Sequence, residues 1–260
     1  MPWPRAPAGP GCTQRPRSPK ASEPVDVLLG LWARICAPQD PLPTATALFT
    51  VLTAGLFVLV PALWRRGRHL ITIAHEGGHA LVATLTGRRL GGIRLHSDTS
   101  GLTVSRGRPR GLGMVLTLLA GYTAPALLGL AAATILGAGY ASGLLWLLLV
   151  ALTLILVQIR NWFGLWSVLV TGTLILVITW FGTPLVQGIG ALLITTFLLL
   201  GALRTALELQ VSRSRRGGLS SDADQLARLT HVPGIVWAAL FVLVAVLCAG
   251  LGASVLGITL

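Results

Sequence analysis

At 260 residues, 53% of them hydrophobic and 11% charged, the chain carries more apolar side chain than a soluble core of this length can bury. With a mean hydropathy of +0.78 it reads as an all-α polytopic membrane protein and leaves no room for a separate soluble domain. The net charge of +12 points to membrane topology rather than to nucleic acid, because Lys and Arg accumulate in cytoplasmic loops.

Residues 1–24 hold seven of the fifteen prolines together with Arg5, Arg15, Arg17 and Lys20, a composition that predicts a disordered tail. No apolar stretch follows a short basic start, so no cleavable signal peptide is expected. Residues 25–44 form a connector in which Val25, Leu28, Leu29, Trp32 and Ile35 follow helical spacing. That is the pattern of a short helix on the membrane surface, or of an ordinary amphipathic linker.

From 45 to 260 the chain is expected to be membrane-embedded, with about six to seven helices in or across the bilayer. The apolar runs are Ala45–Trp64, Leu70–Leu85, Leu112–Leu136, Gly143–Ile159, Phe163–Phe181, Pro184–Leu203 and Val232–Leu256. A bilayer core takes about 20 helical residues, so the second run is short, and polar residues interrupt it. Arg88, Arg89, Arg94, Arg106, Arg108 and Arg110 fill one loop; Arg160 ends a span; Arg204, Arg213, Arg215, Arg216 and Arg228 cluster later. Counting each run as a crossing puts these clusters on one side, taken as cytoplasmic, with the N-terminus on that side and the C-terminus opposite. Arg65, Arg66 and Arg68 then fall on the wrong side, unless they snorkel or the second segment stops short of crossing. Cys12, Cys36 and Cys248 lack pair spacing and indicate neither a disulfide framework nor a cysteine metal site.

The interruption in the second run is His75-Glu76-Gly77-Gly78-His79. On a helix, residues four apart share a face, so both imidazoles can bind one zinc ion while Glu76 points at a metal-bound water. A polar patch packed against neighbouring helices is the plain alternative, and a proton or cation relay a third; no internal repeat supports the relay. Haem ligation by the histidine pair ranks below these, because residues four apart on one helix cannot take opposite axial positions. A catalytic zinc keeps three protein ligands and a water, so a third ligand is needed. Beyond the first span the choice is Glu76, Asp98, Glu208, Asp222 and Asp224, with His69, His96 and His231 as nitrogen donors. With Ser221 as N-cap, Asp224 falls at the third helical position and fits a capping box, which leaves Asp222 as the candidate ligand. A first-turn structural role for both aspartates, with His231 or Asp98 at the metal, remains open.

Gly92 to Val104 alternates apolar and polar residues around a Ser-Asp-Thr-Ser-Gly turn and predicts a β-hairpin. Lying directly after the motif helix, it is placed to line the site and pair with an extended substrate segment, or to be a plain surface hairpin. Arg160 reads as a snorkelling anchor, and Asn161 as a substrate-binding candidate that hydrogen-bonds a substrate backbone. Gly121-Tyr122-Thr123-Ala124-Pro125 with Gly129 reads as tight helix packing with a kink.

Taken together, these residues resemble the site-2 protease family of intramembrane zinc metallopeptidases, in its smaller bacterial branch. The likeness rests on His75-Glu76-Gly77-Gly78-His79-Ala80, on Gly87-Arg88-Arg89 and the hairpin after it, and on Arg160-Asn161-Trp162-Phe163-Gly164. It continues through Ser221-Asp222-Ala223 with Pro233 and Trp237. The resemblance implies zinc as cofactor, His75 and His79 as ligands and Glu76 as general base. It also implies cleavage of a partner's transmembrane segment near the cytoplasmic face of a bacterial inner membrane, as in regulated intramembrane proteolysis. The expected partners are therefore the lipid bilayer and a transmembrane protein substrate. The Leu-Asp-Gly motif that supplies the third ligand in well-studied members occurs nowhere in the chain. Either Asp222 takes that place, or the fold serves as a non-catalytic scaffold or chaperone.

Overall fold

The computed structural model describes residues 29–30, 32–33, 35–216 and 221–257. The tail expected at 1–24, and Val25 and Leu28 of the connector, lie outside them. Leu29 and Trp32 are helical and exposed.

In lipid every backbone N–H and C=O must find a partner within the protein, which long runs of Leu, Ala and Val achieve as helices. From residue 44 the described elements are α1 (Thr44–Leu59), α2 (Pro61–Leu85), β1 (Arg89–Leu95), β2 (Gly101–Arg106), α3 (Leu112–Gly137), α4 (Ala141–Gln158), α5 (Trp162–Phe181), α6 (Pro184–Arg216), α7 (Asp222–Thr230) and α8 (Gly234–Val255). Five of them, α3, α4, α5, α6 and α8, are long and apolar enough to cross a membrane; α1 and α2 pass the same test only as a pair, bent by 97°.

That bend corrects the first two apolar runs. Pro61 has no N–H to continue α1 but its fixed φ suits a first helical position, so one helix stops and another starts there. Trp64 through Arg68 therefore belong to the motif helix. The Val58 carbonyl, left without an intrahelical partner at the end of α1, accepts from the Arg204 guanidinium of α6. The α2 helix begins beside the middle of α6, where Trp64 packs on Phe197 and Ile71 on Gly201, and ends with Thr86 against Gly113 at the head of α3. Two apolar runs thus join in one bent pair of helices.

The ends of the bundle follow from this. The Gln39 backbone N–H donates to the Gly139 carbonyl at 2.8 Å, and residues 38–42 wall a cavity with Val255, Leu256 and Gly257. The chain entering α1 and the chain leaving α8 lie at the same end of the bundle, whereas the hairpin and α7 lie at the other. Counted as one bent span, α1 and α2 leave six crossings in place of the seven expected, and an even number fits a chain that enters α1 and leaves α8 at one end. Arg68 meets Glu208 at 3.2 Å near the charged end of α6, so the misplaced arginines come to the hairpin end.

The hairpin is longer than the alternation suggested. Gly87, at φ +75°, closes α2 and turns the chain into β1. The strands are antiparallel, with Ile93 opposite Thr103 and Leu95 opposite Gly101. Ile93 and Leu95 are buried in a cluster with Leu152 of α4 and Val168 of α5, and Thr72 of α2 donates to the Thr99 carbonyl at 2.9 Å. These contacts seat the hairpin on the motif helix.

Candidate metal centre

On α2, His75 and His79 face the same way, their rings edge to face at 4.7 Å and their Nε2 atoms 3.1 Å apart. The His79 Nδ1–H donates to the Thr117 carbonyl of α3 at 2.7 Å. A carbonyl only accepts, so Nδ1 carries the proton and Nε2 turns its lone pair towards His75. The approach of α3 requires small residues at the contact. A Cβ on Gly78 would meet the Ala120 carbonyl oxygen at 2.8 Å, and one on Gly121 would overlap the His79 ring and lie 2.8 Å from Asp222 Oδ2. The run read as helix packing thus also shapes the site.

The first turn of α7 separates its two aspartates. Asp224 accepts from the Ser221 backbone N–H, and Ser221 Oγ accepts from the Asp224 N–H, both at 3.3 Å, completing the capping box. Asp222, two residues earlier, points inward: its Oδ2 lies 3.3 Å from His75 Nε2 and 3.2 Å from His79 Nε2. That oxygen is buried and no donor is aligned on it.

The other candidate ligands are engaged elsewhere. Asp98 accepts from the Ser100 hydroxyl and backbone N–H in the hairpin turn, bonds that hold its carboxyl below the ordinary range. His231 is an exposed left-handed cap at the end of α7 with φ of 62°. His69 packs on Phe163 with ring centroids 5.4 Å apart.

Glu76 is only 4% exposed and sits beneath β2. The Thr103 hydroxyl donates to its Oε2 at 2.6 Å, and a Cβ on Gly101 would overlap its carboxylate. The sequence holds no signal for this contact, since Thr103 is 27 residues away and its strand had no evident partner on α2. Tyr122 was missed too: its ring lies edge-on to His75 at 4.8 Å and stacks on Phe241 at 5.0 Å.

Asn161 is placed differently from its expected role. Its Nδ2 donates to the Leu95 carbonyl at 2.6 Å and its Oδ1 accepts from the Leu95 N–H at 3.1 Å. The Arg160 N–H donates to the Ile93 carbonyl at 2.9 Å, and Ile159 bridges Ile93 in parallel. The amide expected to hold a substrate backbone is spent on the outer edge of β1, because residues 159–161 run alongside that strand.

A family model described as Peptidase M50B-like matches residues 48–252. The chain belongs to this family, that of the site-2 proteases. No curated protein and no solved structure matches it. Among the described residues of this M50B-like chain, His75, His79 and Asp222 are the group able to hold a metal ion. The fit is geometric. A tetrahedral ion with bonds of about 2.0 Å sets its ligands about 3.3 Å apart, and the three donor atoms stand 3.1, 3.2 and 3.3 Å from one another. Three converging lone pairs repel unless a cation lies between them, and the M50B-like site aims its orphaned carboxylate oxygen at that point. Without Leu-Asp-Gly, the carboxylate comes instead from Ser221-Asp222-Ala223 at the head of a short helix.

Proposed function

We propose that this chain is an intramembrane zinc metalloprotease that hydrolyses a peptide bond in or near a transmembrane segment of a partner protein. The observation that carries the reading is the convergence of His75, His79 and Asp222 with Glu76 one residue away, inside the helical bundle of an M50B-like protein. Four ionisable groups gathered in a membrane protein are costly without a task. Zinc held by His75, His79 and Asp222 would supply Lewis acidity, lowering the pKa of a water towards neutrality and polarising the scissile carbonyl.

The chain's own residues do the rest. Glu76 takes the proton from the attacking water and returns it to the leaving amine nitrogen, with Oε2 held by Thr103 so that the carboxylate keeps one orientation. The carbonyl at Thr117 fixes the His79 tautomer. A substrate helix has to unwind first, since its carbonyls are hidden by their own hydrogen bonds. An extended segment can then pair with the outer edge of β2, because residues 159–161 occupy that of β1. Basic loops gathered at the hairpin end argue that this end faces the cytoplasm of a bacterial cell.

Zinc analysis of the purified chain, and co-expression with a panel of tagged single-span proteins, test the reading. The parent is expected to hold about one zinc and to cut at least one tagged protein; Glu76→Gln is expected to keep the zinc and cut none. Equal cutting by Glu76→Gln removes Glu76 from its role. A parent that holds no zinc and cuts nothing supports a scaffold instead.

A further inference from the structure

A second cleft, of about 530 Å³, lies next to the metal centre between α2 and α6, with Arg68, Tyr122, Arg204, Glu208, Leu207 and Val211 among its walls. Glu208 accepts a hydrogen bond from Arg204 at 2.9 Å and forms an ion pair with Arg68 at 3.2 Å. Arg204 is otherwise spent on the Val58 carbonyl and the Trp64 ring, 4.5 Å below it. One positive charge is left over. It resides on Arg68, whose remaining N–H groups meet no acceptor among the described residues.

The surroundings say what kind of anion fits. Arg65 lies exposed one turn back on α2, outside the walls of the cleft, so the uncompensated charge within it is that of Arg68. On the open flank, Leu207 and Val211 are 48% and 50% exposed, so an apolar wall continues outward from a cationic floor. The cleft stands at the charged end of a span that runs from Pro184 to Ser212. A soluble anion would leave the apolar flank uncovered, and a zwitterionic lipid would bring a phosphate beside a cation of its own, adding no net negative charge to answer Arg68.

We propose that this cleft binds an anionic phospholipid, with its phosphodiester on Arg68 and its acyl chains along Leu207 and Val211. Tyr122 is a wall of both the cleft and the metal centre, so an occupant here touches the ring that packs on His75. The assignment stands whether or not the chain proves to be a protease, because it uses none of the metal ligands.

Native mass spectrometry of the delipidated full chain, offered equal phosphatidylglycerol and phosphatidylcholine with the same acyl chains, tests it. The parent is expected to retain the anionic lipid about fivefold better, roughly the worth of one arginine at an anionic surface. Arg68→Gln is expected to bring the ratio to about one; Glu208 keeps Arg204 as partner, so the bundle stays closed. Arg160→Gln is the charge-matched control and is expected to keep the preference, since Arg160 answers only the Val157 and Ile159 carbonyls through its side chain. Should Arg68→Gln fail to fold, Leu207→Glu on the exposed flank is expected to lower anionic retention while sparing the neutral lipid. Equal retention of both lipids by the parent, or an equal loss in Arg160→Gln, overturns the proposal. Displacement of the lipid by glycerol phosphate at equal concentration overturns it too, by identifying a soluble phosphate as the ligand.

Discussion

The Thr103 hydroxyl and the Gly121 hydrogen are the smallest groups at the centre, and each sets one thing. Removing the hydroxyl deprives the buried Glu76 side chain of a donor, a loss of about 1–3 kcal/mol for a buried polar group left unsatisfied. Thr103→Val is therefore expected to lower the cleavage rate by about tenfold or more while zinc content is unchanged, and Thr103→Ser to restore most of it. A Thr103→Val rate equal to the parent's would leave the hydroxyl without a role. At Gly121 a methyl group would stand where the His79 ring and the Asp222 carboxylate already are. Gly121→Ala is expected to lose most of its zinc while keeping its helical circular dichroism; a full complement of zinc in that variant would refute the close approach. Sequence reading went far at this scale where the residues are neighbours. The shared face of the two histidines and the capping role of Asp224 follow from helical spacing, while spacing left Asp222 open between a first-turn role and the metal. Thr103 and Tyr122 do not follow from spacing, since only the packing of α2 against β2 and α3 brings them in.

Among elements, the hairpin shows how a short polar insertion is held on a membrane bundle. Its inner face is tied to α2 through Thr72 and Thr103, and its outer edge is closed by the turn between α4 and α5. Asn161 provides that closure with both ends of its amide on Leu95. Asn161→Ala leaves a backbone donor and acceptor of a buried residue unmade, at a cost of about 1–3 kcal/mol. Faster amide exchange at Leu95 and a lower unfolding midpoint are the expected outcomes. Exchange as slow as in the parent would mean that the Arg160 and Ile159 contacts suffice. The alternation of residues 92–104 made the hairpin legible, because the strand period survives in any context. The partner of Asn161 was not legible, since Asn161 and Leu95 are 66 residues apart and either a substrate or a strand presents the same backbone groups.

For the whole molecule, the question is how many times the chain crosses. Hydropathy sees apolar length, and by that measure Ala45–Trp64 and Leu70–Leu85 are separate passes; the break at Pro61 and the Val58–Arg204 contact lead us to expect one bent passage instead. The difference shifts parity and puts the start of α1 at the end of the bundle away from the hairpin. Asp40 and Arg106, both exposed, mark the two ends. In a background with Cys12, Cys36 and Cys248 replaced by serine, Asp40→Cys is expected to react with a membrane-impermeant maleimide added to intact cells. Arg106→Cys is expected to react only after the membrane is opened, if the proposed orientation holds, since Lys- and Arg-rich loops are as a rule kept in the cytoplasm. Labelling of both from one side would mean that α1 and α2 each cross, returning Arg65, Arg66 and Arg68 to the face opposite the other basic clusters. The ion pair of Arg68 with Glu208 argues against that outcome, since it fixes this arginine at the charged end of α6.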